Sequence, residues 1–284
     1  MLLAGVLGTW VTWAFFVGTA GGQRLDEAAF SGSRIGRRTL WTAAEPILDL
    51  VSVPLLVLVL AAAAVTALVR RRWSLLLQVA VLVGGANLTT QVLKKAFLDR
   101  PDLVETISLR ANSLPSGHTT VAATVAVALL LSVPRGARPL VAVLGGAYAA
   151  LTGVATMVGG WHRPSDVIAA CTVVLAWAGV ATMIAALDRP EPPGRDGAGP
   201  GAARVVSGLL GLGAVVCGAL GVVTLVRIHD RLSTVTELTA RSDLATAYVG
   251  SAFGVVAASA ALLAAALMGH DTASRESGPP EPSR

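Results

Sequence analysis

The sequence predicts an all-α fold, a polytopic membrane helical bundle with a six-span core and a C-terminal two-span hairpin. Of the 284 residues, 54% are hydrophobic and only 14% are charged, and the mean hydropathy is +0.69. This composition is too apolar for a soluble domain. The apolar runs also have the length, about 20 residues, that a helix needs to cross a bilayer. We therefore expect an integral membrane protein.

Eight apolar runs are expected to span the membrane. In chain order they are Leu2 to Ala20, Pro46 to Val69, Ser74 to Phe97, Gly117 to Val133, Pro139 to Gly160, Pro164 to Leu187, Val205 to Val226 and Leu244 to Met268. The first has no Lys or Arg ahead of its apolar part, so it is interpreted as a span and not as a signal peptide. The polar segment Gly21 to Glu45 is expected to be a loop, and Arg70 to Arg72 end the second run.

The chain is predicted to have four parts. They are a six-span core at 1–187, a flexible linker at 188–204, an accessory hairpin at 205–268 and a disordered tail at 269–284. The linker is rich in Pro, Gly and Ala, and the tail is polar with several Pro and Ser residues. Eight spans place both termini on one side, and we expect that side to be the cytoplasm because it would hold Arg70 to Arg72, Arg135 and Arg138.

The net charge of +5 and a pI near 10.0 raise the question of an anionic partner. The Lys and Arg residues occupy short loops between spans and form no aromatic-laced patch, which disfavours nucleic acid. Membrane lipids and phosphorylated substrates are the better partners. Cys171 and Cys217 lie within apolar runs, so we interpret them as buried small hydrophobes. We predict no metal site and no cofactor.

One polar stretch, Asn112 to Thr120, lies directly against an apolar helix. Within it, Pro115 favours a turn, Ser116 is a good helix N-cap, and Gly117 lets the backbone approach a ligand closely. The amides of the first turn then have no partner within the helix, and such a helix start attracts anions. His118 adds a group that can exchange a proton near neutral pH.

The end of span three and the starts of spans four and six reach the same membrane face under any alternating threading. Together they carry Lys94, Lys95, Arg100, Ser116, His118, His162 and Asp166. This set contains cations, a hydroxyl, two imidazoles and one carboxylate, without a cluster of acids for a divalent metal. It suits metal-independent phosphoryl transfer.

The two histidines receive different roles. His162 precedes Asp166 by four residues at a helix start, so the carboxylate can hold one ring nitrogen and leave the other as a nucleophile. His118 would protonate the leaving alkoxide and later activate water.

Phosphoryl oxygens would be bound by a second group of residues. Lys94 and Arg100 supply positive charge, while Ser116 and the amides of Gly117 and His118 donate hydrogen bonds. Lys94 also continues a polar stripe with Asn87 and Gln91 that is expected to face the bundle interior.

These motifs resemble the type 2 phosphatidic acid phosphatase superfamily, which includes bacterial lipid phosphate phosphatases. Its signatures are Lys, six residues, Arg-Pro; then Pro-Ser-Gly-His; then Ser-Arg, five residues, His, three residues, Asp. Pro115 to His118 match the second in full, and His162 and Asp166 match the latter half of the third. The resemblance covers residues 1 to about 187. It implies a six-span phosphatase core that hydrolyses a lipid phosphate or polyprenyl (di)phosphate through a phosphohistidine.

The sequence departs from these signatures in two places. Arg100 and Pro101 match the end of the first, but Lys94 precedes Arg100 by five intervening residues instead of six. We retain Lys94 in preference to Lys95 because Lys94 continues the polar stripe. The second departure is in the third signature.

There, Ala155 and Thr156 occupy the Ser-Arg positions, so the phosphate-binding Arg of the family is missing. Arg163 or Arg110 would have to supply this charge. Two alternatives therefore stay open beside hydrolysis. One is a lipid phosphotransferase on the same scaffold, and the other is a catalytically inactive phospholipid-binding or transport protein.

Overall fold

The computed structural model describes residues 1–35, 37–50, 61, 64–65, 72–105, 112–187 and 200–276. Within these residues the fold is all-α, as predicted. The helices are α1 (Leu2–Phe16), α2 (Ala20–Gly32), α3 (Arg37–Leu50), α4 (Trp73–Val92), α5 (Gly117–Ser132), α6 (Arg138–Val158), α7 (Pro164–Ala186), α8 (Pro200–Thr234) and α9 (Arg241–Glu276). A π-helical turn, Leu93–Phe97, continues α4, and a 3₁₀ turn, Arg135–Ala137, precedes α6.

Five helical segments of the described chain are long and apolar enough to cross a membrane. They are Trp73–Phe97, Arg135–Val158, Pro164–Ala186, Gly201–Thr234 and Arg241–Thr272. The fourth predicted span is the shorter apolar helix α5. Most of the second, Pro46 to Val69, falls outside the described residues.

The predicted boundary of the first span is wrong. Helix α1 ends at Phe16, and the chain turns by 91° into α2. Thr19 caps α2 by accepting a hydrogen bond from the Gly22 amide at 3.0 Å. The pair counts as one further crossing only if both helices are taken as a single bent span.

The predicted loop from Gly21 to Glu45 is also wrong, because this segment forms α2 and the first part of α3. Its polar residues suggested exposure to water. In the structure, Gln23, Asp26 and Glu27 are instead buried against the rest of the bundle. The polarity of these three residues reflects contacts inside the bundle, whereas Arg34, Arg38 and Glu45 are exposed.

Helix α7 lies at the centre of the bundle and packs mainly against α1, α4 and α9. The largest hydrophobic core combines buried side chains from α4 to α7 with those of α9. Leu82, Leu130 and Val174 belong to this core, and so do Leu262 and Leu263 of the predicted accessory hairpin. The hairpin is thus packed onto the other helices through α9.

The ends of the hairpin differ from the sequence-based expectation. Helix α8 begins at Pro200, inside the predicted linker, whose residues 188–199 lie outside the described chain. Helix α9 continues to Glu276, so residues 269–276 are helical and the prediction of a disordered tail is wrong for them. His270 is buried, which shows that the bundle extends beyond Met268. Residues 277–284 are outside the described chain.

Candidate active site

Helix α5 begins at the Pro-Ser-Gly-His motif, as the sequence predicts. The Ser116 hydroxyl accepts hydrogen bonds from the Thr119 amide at 3.3 Å and from the Thr119 hydroxyl at 3.1 Å. The Ser116 amide donates to the carbonyl of Asp166 at 2.9 Å. This last bond joins the start of α5 to the start of α7, so the two polar turns meet.

The His162–Asp166 pair has the geometry expected from its spacing. His162 Nδ1 lies 3.1 Å from Asp166 Oδ2, and the same oxygen accepts the Arg163 amide at 2.9 Å. Asp166 is fully buried. An ionised carboxylate only accepts hydrogen bonds, so Nδ1 is the donor to Asp166 and Nε2 stays outside this contact.

His118 faces this pair from the first turn of α5. Its ring centroid lies 6.1 Å from that of His162, with the rings edge to face. Trp161 also packs against His118, with its centroid 5.3 Å from the His118 ring, and the Trp41 ring lies 5.9 Å from that of Trp161. Trp161 therefore forms one wall beside His118.

Lys94 reaches the site from the π-helical turn at the end of α4. It is half-buried and interacts electrostatically with Asp166 and His118, whereas Lys95 is exposed. The Asn112 amide donates to Leu98 O at 2.6 Å and holds this turn beside the α5 loop. Of the two lysines, Lys94 is the one that interacts electrostatically with His118 and Asp166.

The polar stripe around Lys94 differs from its expected orientation. Asn87 is half-buried and Gln91 is exposed, while the buried face of α4 carries apolar residues and Thr90. The Gln91 amide nitrogen nevertheless approaches Gly117, since a Cβ at that glycine would lie 3.8 Å away. The stripe therefore borders the site instead of facing the core.

Arg100 has a buried guanidinium group near Asp26, Asp166 and Arg163. Its Nε and both terminal nitrogens have no hydrogen-bond partner among the described residues. Burial lowers the pKa of Arg100, and the nearby Arg163 acts in the same direction while Asp26 opposes it. A buried cation with three donor nitrogens to satisfy is suited to a multidentate anion such as a phosphoryl group.

Thr156 occupies the position of the missing Arg in the third signature, and Arg163 is a candidate to supply its charge. Thr156 is buried and its hydroxyl donates to the Gly153 carbonyl of its own helix at 2.7 Å. The Arg163 guanidinium is also buried, 3.4 Å from Glu27 and 5.6 Å from the Phe30 ring centroid. Arg163 is therefore engaged with α2. Arg110 lies outside the described residues.

Two carboxylates of α2 were missed by sequence reasoning. Asp26 Oδ1 accepts the Ser165 amide at 3.2 Å, and Oδ2 accepts the Ser165 hydroxyl at 2.5 Å. Glu27 pairs with Arg163, as described above. The available signal was the spacing of Gln23, Asp26 and Glu27, which places them on one helical face. In the part of the chain that the structure describes, no three His, Cys, Asp or Glu side chains converge as metal ligands.

The turns that carry His118 and His162, together with Lys94 and Arg100, lie within one segment that matches a known protein family. Residues 75–190 match the model of the PAP2 superfamily. The matched region contains every site residue predicted from the sequence. It ends before α8, and it begins after α2.

Comparison with solved structures also bears on the fold. The chain is similar to a transmembrane PAP2-type phosphatidylglycerolphosphate phosphatase from Bacillus subtilis, with a TM-score of 0.52 and 24% sequence identity. The similarity covers 64% of this chain and 94% of the other. It confirms the helical, multi-pass membrane fold. No curated protein matches the chain.

Proposed function

We propose that this protein is a PAP2-type membrane phosphatase that hydrolyses a lipid phosphate or polyprenyl (di)phosphate without a metal ion. The family match and the similar fold support a membrane lipid phosphatase. The observation that carries the mechanism is the pair of imidazoles of His118 and His162, whose ring centroids lie 6.1 Å apart. The buried carboxylate of Asp166 orients the His162 ring.

The first step transfers the phosphoryl group to His162. Its Nε2 attacks phosphorus, a P–N bond forms, and the P–O bond to the lipid breaks. Asp166 stabilises the positive charge that develops on the ring. His118 gives a proton to the departing oxygen, which leaves as a lipid hydroxyl or, from a diphosphate, as a monophosphate.

The second step restores the enzyme. His118, now neutral, removes a proton from water as the water oxygen attacks phosphorus. The P–N bond breaks and inorganic phosphate leaves. In both steps charge builds on the phosphoryl oxygens, and Lys94, Arg100, Ser116 and the Gly117 amide are proposed to bind them. Arg163 lies next to His162 and is proposed to contribute less than Arg100, because its guanidinium is paired with Glu27.

Lipid substrates are proposed from the position of these groups at the ends of apolar helices. A headgroup can enter such a site while its chains stay in the bilayer. We place the site on the extracytoplasmic face, with both termini in the cytoplasm, as the Arg-rich loops favour. The structurally similar protein is a phosphatidylglycerolphosphate phosphatase. That substrate therefore belongs in any test panel.

The decisive test measures phosphate release by purified protein in EDTA. The panel holds phosphatidate, phosphatidylglycerophosphate, and polyprenyl phosphates and diphosphates. We expect release from at least one of them, and none with His162→Ala. Equal release by the His162 variant would refute the phosphohistidine mechanism.

Two other outcomes would redirect the proposal. A phosphotransferase would release phosphate only slowly and pass it to an added hydroxyl acceptor, which product analysis detects. The alternative of an inactive binding or transport protein rests on Thr156 in the Arg position. Such a protein would show no turnover to be inhibited by vanadate, and it would move an intact lipid phosphate across vesicles.

A further inference from the structure

Helix α2 presents three polar side chains to the interior of the bundle. Gln23 is 0% exposed, Asp26 is 1% and Glu27 is 9%. Burying polar and charged groups is costly unless they are hydrogen-bonded or paired. Each of these side chains contacts a segment that carries a predicted site residue. Their burial is therefore linked to the site.

Asp26 contacts the first turn of α7. Its two carboxylate oxygens accept the amide and the hydroxyl of Ser165, at 3.2 and 2.5 Å. Ser165 directly precedes Asp166, which orients His162. A bidentate contact of this kind restrains both the backbone and the side chain of the turn. Asp26 thus acts on the turn from which the nucleophile projects.

The same turn holds the start of α5. The Asp166 carbonyl accepts the Ser116 amide at 2.9 Å, and His118 follows two residues later. Restraining the α7 turn therefore also restrains the relative position of the two histidines. Among the described residues, no hydrogen bond joins His118 directly to His162, so their relative position depends on this backbone contact.

Gln23 and Glu27 extend the contact to the cationic residues. Gln23 Nε2 donates to the Pro101 carbonyl at 2.8 Å, next to Arg100. Glu27 pairs with Arg163, next to His162. One face of α2 thus meets the Arg-Pro loop and the His162 turn.

We propose that Asp26 is a positioning residue, which holds the His162–Asp166 turn in the orientation that faces His118. This inference rests on the proposed phosphatase function. Helix α2 precedes the PAP2 match at residues 75–190, so the family assignment does not supply this role. Displacement of a reacting group by about 1 Å can cost about 100-fold in rate.

The test compares Asp26→Ala, Asp26→Asn and Ser165→Ala with a matched control, Asp230→Ala, at an exposed acid on α8. Per folded protein, we expect Asp26→Ala to lower kcat by about 10- to 100-fold with KM within about threefold. Asp26→Asn keeps an oxygen that accepts the Ser165 amide, so it should retain more activity. Asp230→Ala should match the wild type.

A purely structural role would lower the melting temperature and the yield but leave kcat per folded protein unchanged. That result, or a raised KM with unchanged kcat, would overturn the proposal. The double variant Asp26→Ala/Ser165→Ala should cost no more than Asp26→Ala alone, since both remove one contact. If Asp26→Ala does not fold, Asp26→Asn and Ser165→Ala decide, and wild-type kcat in both would overturn it.

Failure of the proposed function has a different signature, namely no phosphate release by the wild type. In that case vanadate binding still tests Asp26. It is followed by tryptophan fluorescence, to which Trp161 beside His118 contributes. We expect the Asp26→Ala variant to bind vanadate at least about tenfold more weakly than Asp230→Ala, because His162 would be misaligned. Equal binding would overturn the positioning role.

Discussion

His118 is proposed to act by giving and taking a proton. The ring faces His162 at 6.1 Å and is flanked by Trp161 at 5.3 Å, so it is held beside the proposed nucleophile. Lys94 lies close to the same ring. This arrangement suits a group that gives a proton to the leaving oxygen and later takes one from water.

We therefore expect His118→Ala to slow hydrolysis of a lipid phosphate by about 10²- to 10⁴-fold. The loss in the first step should be much smaller with an aryl phosphate, such as p-nitrophenyl phosphate, because its leaving group needs no proton. Single-turnover release of p-nitrophenol measures this step. An equally large loss with both substrates would argue against the acid role of His118.

Thr156 is the residue at which this chain departs most clearly from the family signature. Its hydroxyl is satisfied by the Gly153 carbonyl at 2.7 Å, inside α6. We expect Thr156→Val, which keeps the shape, to change kcat/KM by less than about twofold and to lower stability by about 1 kcal/mol. Steady-state assays and thermal melts check both. A tenfold loss of kcat/KM would show that the hydroxyl reaches substrate.

At the scale of the helices, the packing of α7 against α6 and α9 depends on a close approach at one glycine. Helices α6, α7 and α9 meet at Gly153, where an added Cβ would lie 2.5 Å from Val167 and 2.9 Å from Val255. Both distances are shorter than side chains tolerate. Glycine at this position lets α7 approach its neighbours, and α7 carries Asp166.

We expect Gly153→Ala to destabilise the protein by about 1–3 kcal/mol through overpacking. Gly84→Ala on α4 is the matched control, since a Cβ there meets nothing within 4 Å. The control should be neutral or stabilising by up to about 1 kcal/mol, because alanine favours the helix. Melting curves in detergent compare the two. Equal melting temperatures would show that the contact at Gly153 is not tight.

At the scale of the whole molecule, the C-terminal hairpin is part of the packed bundle although the PAP2 match ends at residue 190. Leu263 of α9 is 0% exposed and belongs to the main core together with residues of α4 to α7. The linker composition suggested a separate unit. The packing of α9 on α6 and α7 instead makes the stability of the site helices depend on the hairpin.

Leu263→Ala is accordingly expected to lower stability by about 2–5 kcal/mol, as for other buried leucines. Leu212→Ala, at an exposed position of α8, is the control and should change stability much less. Thermal melting and the activity remaining after heating check both variants. A neutral Leu263→Ala would mean that α9 does not support the core.

Apolar run length, capping residues and i,i+4 spacing are local features of the sequence. They were enough to predict the all-α membrane fold, most helix boundaries after residue 72, and the proximity of His118, His162 and Asp166. The contacts of Asp26 and Glu27 of α2 with the α7 turn, and the place of α9 in the core, became visible only once the helices were packed together. Polar residues in a short segment look solvated in sequence, because their buried partners, Ser165 and Arg163, lie more than a hundred residues away.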